Sequence, residues 1–126
     1  MGVFSKRVLL ADLSRQATAE VDAVIDTGSS LCLVPESVAS LLGLEVVGTS
    51  DFILADGHLT SFPIAGMRLE IEGRVAFITT AIGPDDVQPL LGAQALEVIG
   101  FAVEPGTEKL IPEAIRLLTM TGWPTI

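Results

Sequence analysis

In the stretch VIDTGSSLCLVP, Val24 to Pro35, an apolar run is interrupted by Asp-Thr-Gly-Ser-Ser and resumes at once. Asp, Gly and Ser commonly reverse a chain between strands, so an ordinary turn is one reading of this segment. Its setting supports another. Ala23, Val24 and Ile25 lead in, and Leu31, Cys32, Leu33 and Val34 lead out, a frame that draws the turn toward the core. A carboxylate taken out of water must be hydrogen-bonded, paired or protonated, because an unsolvated charge is costly. Asp26 held in that way is a candidate for acid or base chemistry.

Few other side chains could share the work. The sequence has one histidine, His58, and one cysteine, Cys32. That leaves no zinc cluster, no internal disulfide, and no Ser-His-Asp set beyond what one imidazole could support. The apolar neighbours of Cys32 mark it as a small core residue. Asp85 and Asp86 are adjacent but lack further ligands for a metal, and read as a solvated loop. Neither a cofactor nor a metal is expected.

Strands have to position these groups. Val3 to Leu10 reads as a first strand, and Thr18 to Ile25 alternates, with Ala19, Val21, Ala23 and Ile25 on one face. This second strand delivers Asp26 to its end. A short strand follows the loop, then a helix opened by Pro35 and closed by Gly43, with Val38, Leu41 and Leu42 expected on its buried side. Phe52 to Ala55 and His58 to Ile64 flank Asp56-Gly57, a strong hairpin signal. In a second hairpin Met67, Leu69 and Ile71 alternate with Arg68, Glu70 and Glu72, and Val75 to Ile82 returns the chain to Gly83-Pro84-Asp85-Asp86. Leu90-Leu91-Gly92 then precedes a short helix ending near Gly100. SLLGLEV, Ser40 to Val46, and EVIGFAV, Glu97 to Val103, echo each other as helix end, glycine and return strand, so the chain reads as two weakly similar halves. Only the first half carries Asp-Thr-Gly.

With 126 residues, 49% of them hydrophobic, and 12 glycines, the composition suits one β-rich domain. Seven basic against 16 acidic residues give a net charge of -9, which argues against nucleic acid and anionic membrane surfaces as partners. No apolar run reaches the roughly 18 residues of a membrane span. The opening MGVFSKRVLL lacks the apolar core of a secretory signal, and Lys6 stands where myristoylation of Gly2 wants Ser or Thr. The expected location is cytoplasmic.

Asp26-Thr27-Gly28 after an apolar strand, Ala55-Asp56-Gly57-His58 at a hairpin tip and Leu90-Leu91-Gly92 before a helix occur in that order. The set resembles the retropepsin-like (clan AA) aspartic proteases, most of all their single-domain microbial type, over roughly Val3 to Pro112. The resemblance implies a mainly β fold, a closed, pseudo-two-fold β-barrel with one or two short helices. It implies a protease domain over 1–112, one half of a homodimer, with 113–126 as an extension of unknown role. It further implies an aspartic endopeptidase with one Asp26 from each subunit, sharing a proton and activating a water against a peptide bond.

By the same resemblance Thr27 locks the two loops across the dimer axis and Gly28 admits close backbone approach. Ser29, a position where many retropepsins have Ala, donates to Asp26. Ala55, Asp56, Gly57 and His58 form the flap over substrate, and Leu90, Leu91 and Gly92 support the catalytic loop. The sequence has no tyrosine, so a flap Tyr of the pepsin kind is absent. The first strand and Lys109 to Pro112, at the chain ends, are expected to pair between subunits. Two other functions fit the residues: a catalytically silent retropepsin-like module that dimerises and binds peptide, and a single-chain barrel with Asp26 as a small-molecule contact.

Overall fold

Alternation of apolar and polar side chains decides which strand faces turn inward. The computed structural model describes residues 3–126; Gly2 lies outside them. In chain order the elements are β1 (Phe4–Ala11), β2 (Thr18–Ile25), β3 (Cys32–Pro35), α1 (Glu36–Leu42), β4 (Val46–Ile53), β5 (Leu59–Ile71), β6 (Arg74–Gly83), β7 (Leu90–Leu91), α2 (Ala93–Ile99), β8 (Phe101–Glu104) and β9 (Lys109–Pro112). The fold is mainly β, with two short helices, as the sequence led us to expect.

The strand pairings close on themselves. β1 pairs with β2 along its length, from Phe4↔Ile25 to Ala11↔Thr18, and its other side meets β5 from Leu9↔Glu70 to Ala11↔Arg68. Following the sheet from β2 through β7, β3, β6 and β5 returns to β1, so six strands form a ring and β4 extends it beyond β5. A ring of this kind leaves few bare strand edges. Inside it Val8, Leu10, Ala23, Ile25, Met67 and Leu69 are buried, while α2 adds Leu96 and Ile99 to the same core.

β2 has the boundaries read from the alternation. The two hairpin strands expected at His58 to Ile64 and Met67 to Ile71 are instead one 13-residue strand, β5. Pro63 does not break it, because the pairing of β5 with β6 begins one residue later, at Ile64↔Ala81, so Pro63 has a strand on one side only. In α1 the buried residues are Ala39 and Leu42, with Val38 partly buried, and Leu41 is 66% exposed. Seven residues make two turns, enough for one narrow apolar stripe, and Leu41 falls off it. Both helices end on a left-handed glycine, Gly43 (φ 65°) and Gly100 (φ 85°), the structural counterpart of the echo between SLLGLEV and EVIGFAV.

The terminal strands find part of their pairing within the chain. β9 pairs within the chain against β8, from Phe101↔Pro112 to Glu104↔Lys109, and β1 already has a strand on each side. The turn between β8 and β9, with Gly106 and Glu108 at positive φ, folds β9 straight back and satisfies one of its edges locally. Among the described pairings, the other edge of β9 and the side of Phe4 to Val8 facing away from β2 have no strand partner within the chain.

Candidate active site

The Asp26 loop is held from below by a two-residue strand. β7 runs parallel to β2, with Val24↔Leu90 and Ile25↔Leu91, and antiparallel to β3 at Leu33↔Leu90. It thus lies between the two strands that the loop connects. The Val24 amide donates to the Pro89 carbonyl (2.8 Å) and the Asp26 amide to the Leu91 carbonyl (3.0 Å). Past β7 the chain enters α2, whose first amides need acceptors. The loop supplies them: the Ala93 amide donates to the Ser29 carbonyl (2.7 Å) and the Gln94 amide to the Ser30 carbonyl (3.1 Å).

Gly92 is a glycine for lack of space. Its φ of -95° suits any residue, but a Cβ there would stand 2.5 Å from both the Ser29 and the Leu31 carbonyl oxygens. Those are backbone atoms of the Asp26 loop and the approach to β3, and they cannot swing away.

The loop itself fixes the carboxylate. The Gly28 amide donates to Asp26 Oδ1 (3.0 Å), the Ser29 hydroxyl to Oδ2 (3.1 Å), and the Ser29 amide to the Asp26 carbonyl (3.1 Å). In the single chain Asp26 is half-buried while Thr27 and Gly28 are exposed. This corrects the expectation of a turn drawn into the core. Ile25, Cys32 and Val34 are buried, but the loop they flank stands at the surface. Cys32 is the inert core residue foreseen: burial pushes its thiol up to about 11, opposed by a hydrogen bond from the Gly92 backbone.

The hairpin tip forms where Asp56-Gly57 placed it. The Leu54 amide donates to the His58 carbonyl (2.8 Å), the Gly57 amide to the Leu54 carbonyl (2.9 Å), and Gly57 has a φ of 87°. Ala55, Asp56, Gly57 and His58 are all exposed. Asp56 accepts from the His58 amide (3.0 Å) and lies 2.9 Å from His58 Nδ1, donors that hold its carboxyl below the usual range. Ile53 and Leu59, paired across the hairpin, present exposed apolar side chains beside the tip. Asp26, Ser29, Leu90, Leu91 and Gly92 are brought together; the tip shares no hydrogen bond or ion pair with them among the described interactions.

One residue has more to do than its sequence context indicated. Asp85 accepts from the Ser37 amide (2.8 Å) and so caps the first turn of α1, which Pro35 leaves without a side-chain cap. The separation of 48 positions between the partners hides this contact from any local pattern. Among the described residues no group of three or more His, Cys, Asp or Glu side chains could hold a metal ion. Among the same described residues no helix is long and apolar enough to cross a membrane.

A family model described as aspartyl protease matches residues 15–95, a span that contains the Asp26 loop, the hairpin and β7. The chain belongs to the aspartyl protease family. Solved structures place the fold of this family member among retropepsins. The solution structure of simian foamy virus (mac) protease is 15% identical and aligns over 74% of this chain and 91% of that one, with a TM-score of 0.53. A retropepsin-like aspartic protease from Rickettsia conorii is 18% identical over 82% of this chain and 88% of that one, with a TM-score of 0.52. The foamy viral protease-reverse transcriptase in complex with an RNA/DNA hybrid is 12% identical; the alignment takes in 90% of this chain but 13% of that one, with a TM-score of 0.54. No curated protein matches the sequence.

Proposed function

We propose that the protein is a homodimeric aspartic endopeptidase whose active site takes one Asp26 from each of two chains. The observation that carries this reading is the Asp26 carboxylate itself: fixed by Gly28 and Ser29, resting on β7, and set in a loop whose Thr27 and Gly28 are exposed. The chain has one Asp-Thr-Gly, so a second copy must supply the other carboxylate. The protease unit runs over 1–112, and Thr27 makes the contact between loops across the axis.

Two carboxylates about 3 Å apart cannot both ionise, so the pair shares a proton. The ionised Asp26 takes a proton from a water, whose oxygen attacks the scissile carbonyl carbon. The protonated Asp26 of the other copy donates to the carbonyl oxygen, giving a neutral tetrahedral intermediate. On its collapse the Asp26 that took the water's proton gives it to the leaving nitrogen, the C–N bond breaks, and a hydroxyl of the intermediate returns its proton to the other Asp26, restoring the shared-proton pair. The hairpin tip, Ala55 to His58, closes over the peptide and excludes bulk water.

The test follows from sharing. Asp26→Asn is nearly isosteric yet cannot act as a base. Mixing wild-type and Asp26→Asn chains at fixed total concentration, with subunits exchanging, should give activity that falls as the square of the wild-type fraction. A linear fall would mean that each chain carries its own site. Peptide binding with no cleavage by either protein would indicate a silent module.

A further inference from the structure

Each end of α2 is tied to a different part of the molecule. At its start the Ala93 and Gln94 amides are bonded to the Ser29 and Ser30 carbonyls, and Gly92 has no room for a side chain. A joint this tight passes movement of the helix on to the loop that carries Asp26. The helix has seven residues and so spans about 10 Å.

The far end of α2 is held from outside the helix. Its last carbonyls lack intrahelical donors, and α2 has no basic residue in its own last turn to meet them. Arg74 reaches them from β6. Its Nη1 donates to the Gly100 carbonyl (2.7 Å) and lies 3.5 Å from the Ile99 carbonyl. The guanidinium carbon stands 5.0 Å from the centre of the Phe101 ring, over a side chain that is buried. Both the helix dipole and the ring face favour a cation at this position. Gly100 leaves the space: its φ of 85° ends the helix, and a Cβ on it would run into the Arg74 guanidinium. None of the described ion pairs involves Arg74, so these carbonyls are its described polar partners.

Arg74 itself has a rigid base. It opens β6 opposite Ile71, across the tight turn Glu72-Gly73, and the ladder continues from there to Ile64↔Ala81. The closed end of the β5–β6 hairpin is thus linked to α2, and α2 to the Asp26 loop.

We propose that Arg74 is a positioning residue of the active site: it holds the C-terminal end of α2 and, through that helix, sets the Asp26 loop. The kinetic half of this inference rests on the endopeptidase reading, in which two loops must bring their carboxylates to about 3 Å from each other. Misplacement by about 1 Å can cost such a site about 100-fold in rate.

The test compares the wild type with Arg74→Met, which keeps an unbranched stem over Phe101 but no donor, and with Arg74→Lys, which restores a charged donor. Amide hydrogen exchange needs no substrate. In Arg74→Met the Asp26, Ala93 and Gln94 amides should exchange about fivefold or more faster, relative to amides of the β1–β2 ladder in the same sample, with Arg74→Lys in between. If only the Gly100 and Glu113 amides quicken, or all amides quicken equally, the arginine is a structural cap and the inference falls. In peptide cleavage, kcat for Arg74→Met should drop about tenfold or more with KM within about twofold. A proton-sharing pair gives a bell-shaped pH profile bounded by its two apparent pKa values, and carboxylates held further apart couple less, so the two limbs should draw together. Activity lost only in proportion to the unfolded fraction, with the limbs unmoved, also overturns the proposal. Should Arg74→Met not fold, Arg74→Lys carries the same comparison. A wild type that cleaves nothing would remove the endopeptidase and leave the exchange rates to decide the role of Arg74, so the two readings fail separately.

Discussion

At Gly92 the absence of a side chain is a requirement of the site. A methyl group would press on the carbonyl oxygens of Ser29 and Leu31, and both belong to the backbone that presents Asp26. Overpacking of this kind costs about 1–3 kcal/mol. Gly92→Ala should lower the urea midpoint accordingly and should reduce cleavage by much more than its stability loss accounts for, because the displaced atoms include the loop. A variant with wild-type kcat/KM would show that the loop tolerates the shift. At Cys32 the consequence is a pH dependence. The thiol titrates at about 11 in the fold against a reference of 9.0. Between those values the unfolded chain has lost the proton and the folded chain retains it, so stability falls as pH rises. The contribution is fully present below pH 9 and gone above about 11, with a slope of about 1.4 kcal/mol per pH unit between. Thermal midpoints from pH 8 to 11 should fall more steeply for wild type than for Cys32→Ala; parallel curves would contradict the shift.

At the scale of elements, what was legible in the sequence is what local physics decides. Alternation in Thr18 to Ile25 bounded β2, Asp56-Gly57 located the hairpin tip, and Gly43 and Gly100 ended both helices. Partners distant in the chain were not legible. The ring closes through β1 and β5, which no local pattern announces. Nor does a local pattern show why Pro63 is tolerated inside one long strand: the register gives it a strand on one side only. The depth of the Asp26 loop was misjudged for a related reason: apolar flanks report where strands are buried, while the connection between them is free to reach the surface. The contact between Asp85 and Ser37 is of the same distant kind, tying the 84–89 loop to α1. Losing a cap of this type costs about 0.5–2 kcal/mol. Asp85→Ala should therefore destabilise by about 1 kcal/mol in urea titrations, and Asp85→Asn, which keeps an acceptor oxygen, by much less. Equal losses for the two would mean that charge, not the hydrogen bond, carries the effect.

At the scale of the molecule, residues 113–126 form no strand of the ring or of the β8–β9 sheet, and Glu113 to Arg116 lie beside Glu97, Val98 and Gly100. All are exposed, with Ile115, Leu117, Leu118 and Trp123 at 61%, 70%, 83% and 76%. Beyond Glu113, whose amide donates to the Gly100 carbonyl (2.8 Å), the one hydrogen bond described is local, from the Met120 amide to the Leu117 carbonyl. Hydrophobic stabilisation scales with apolar area removed from water, about 25 cal/mol per Å², and side chains this exposed remove little. A chain ending at Glu113 should therefore keep the far-UV spectrum of the full chain and unfold within about 2 °C of it at concentrations where both are monomeric. The comparison should be repeated at rising concentration. If the tail's apolar side chains are used in pairing two copies, the full chain alone should gain thermal stability with concentration, as mass action requires of an interaction made only by folded protein. A large loss in the dilute truncated chain would show instead that the tail is part of the folded unit, and the domain boundary would move from Pro112 to the end of the sequence.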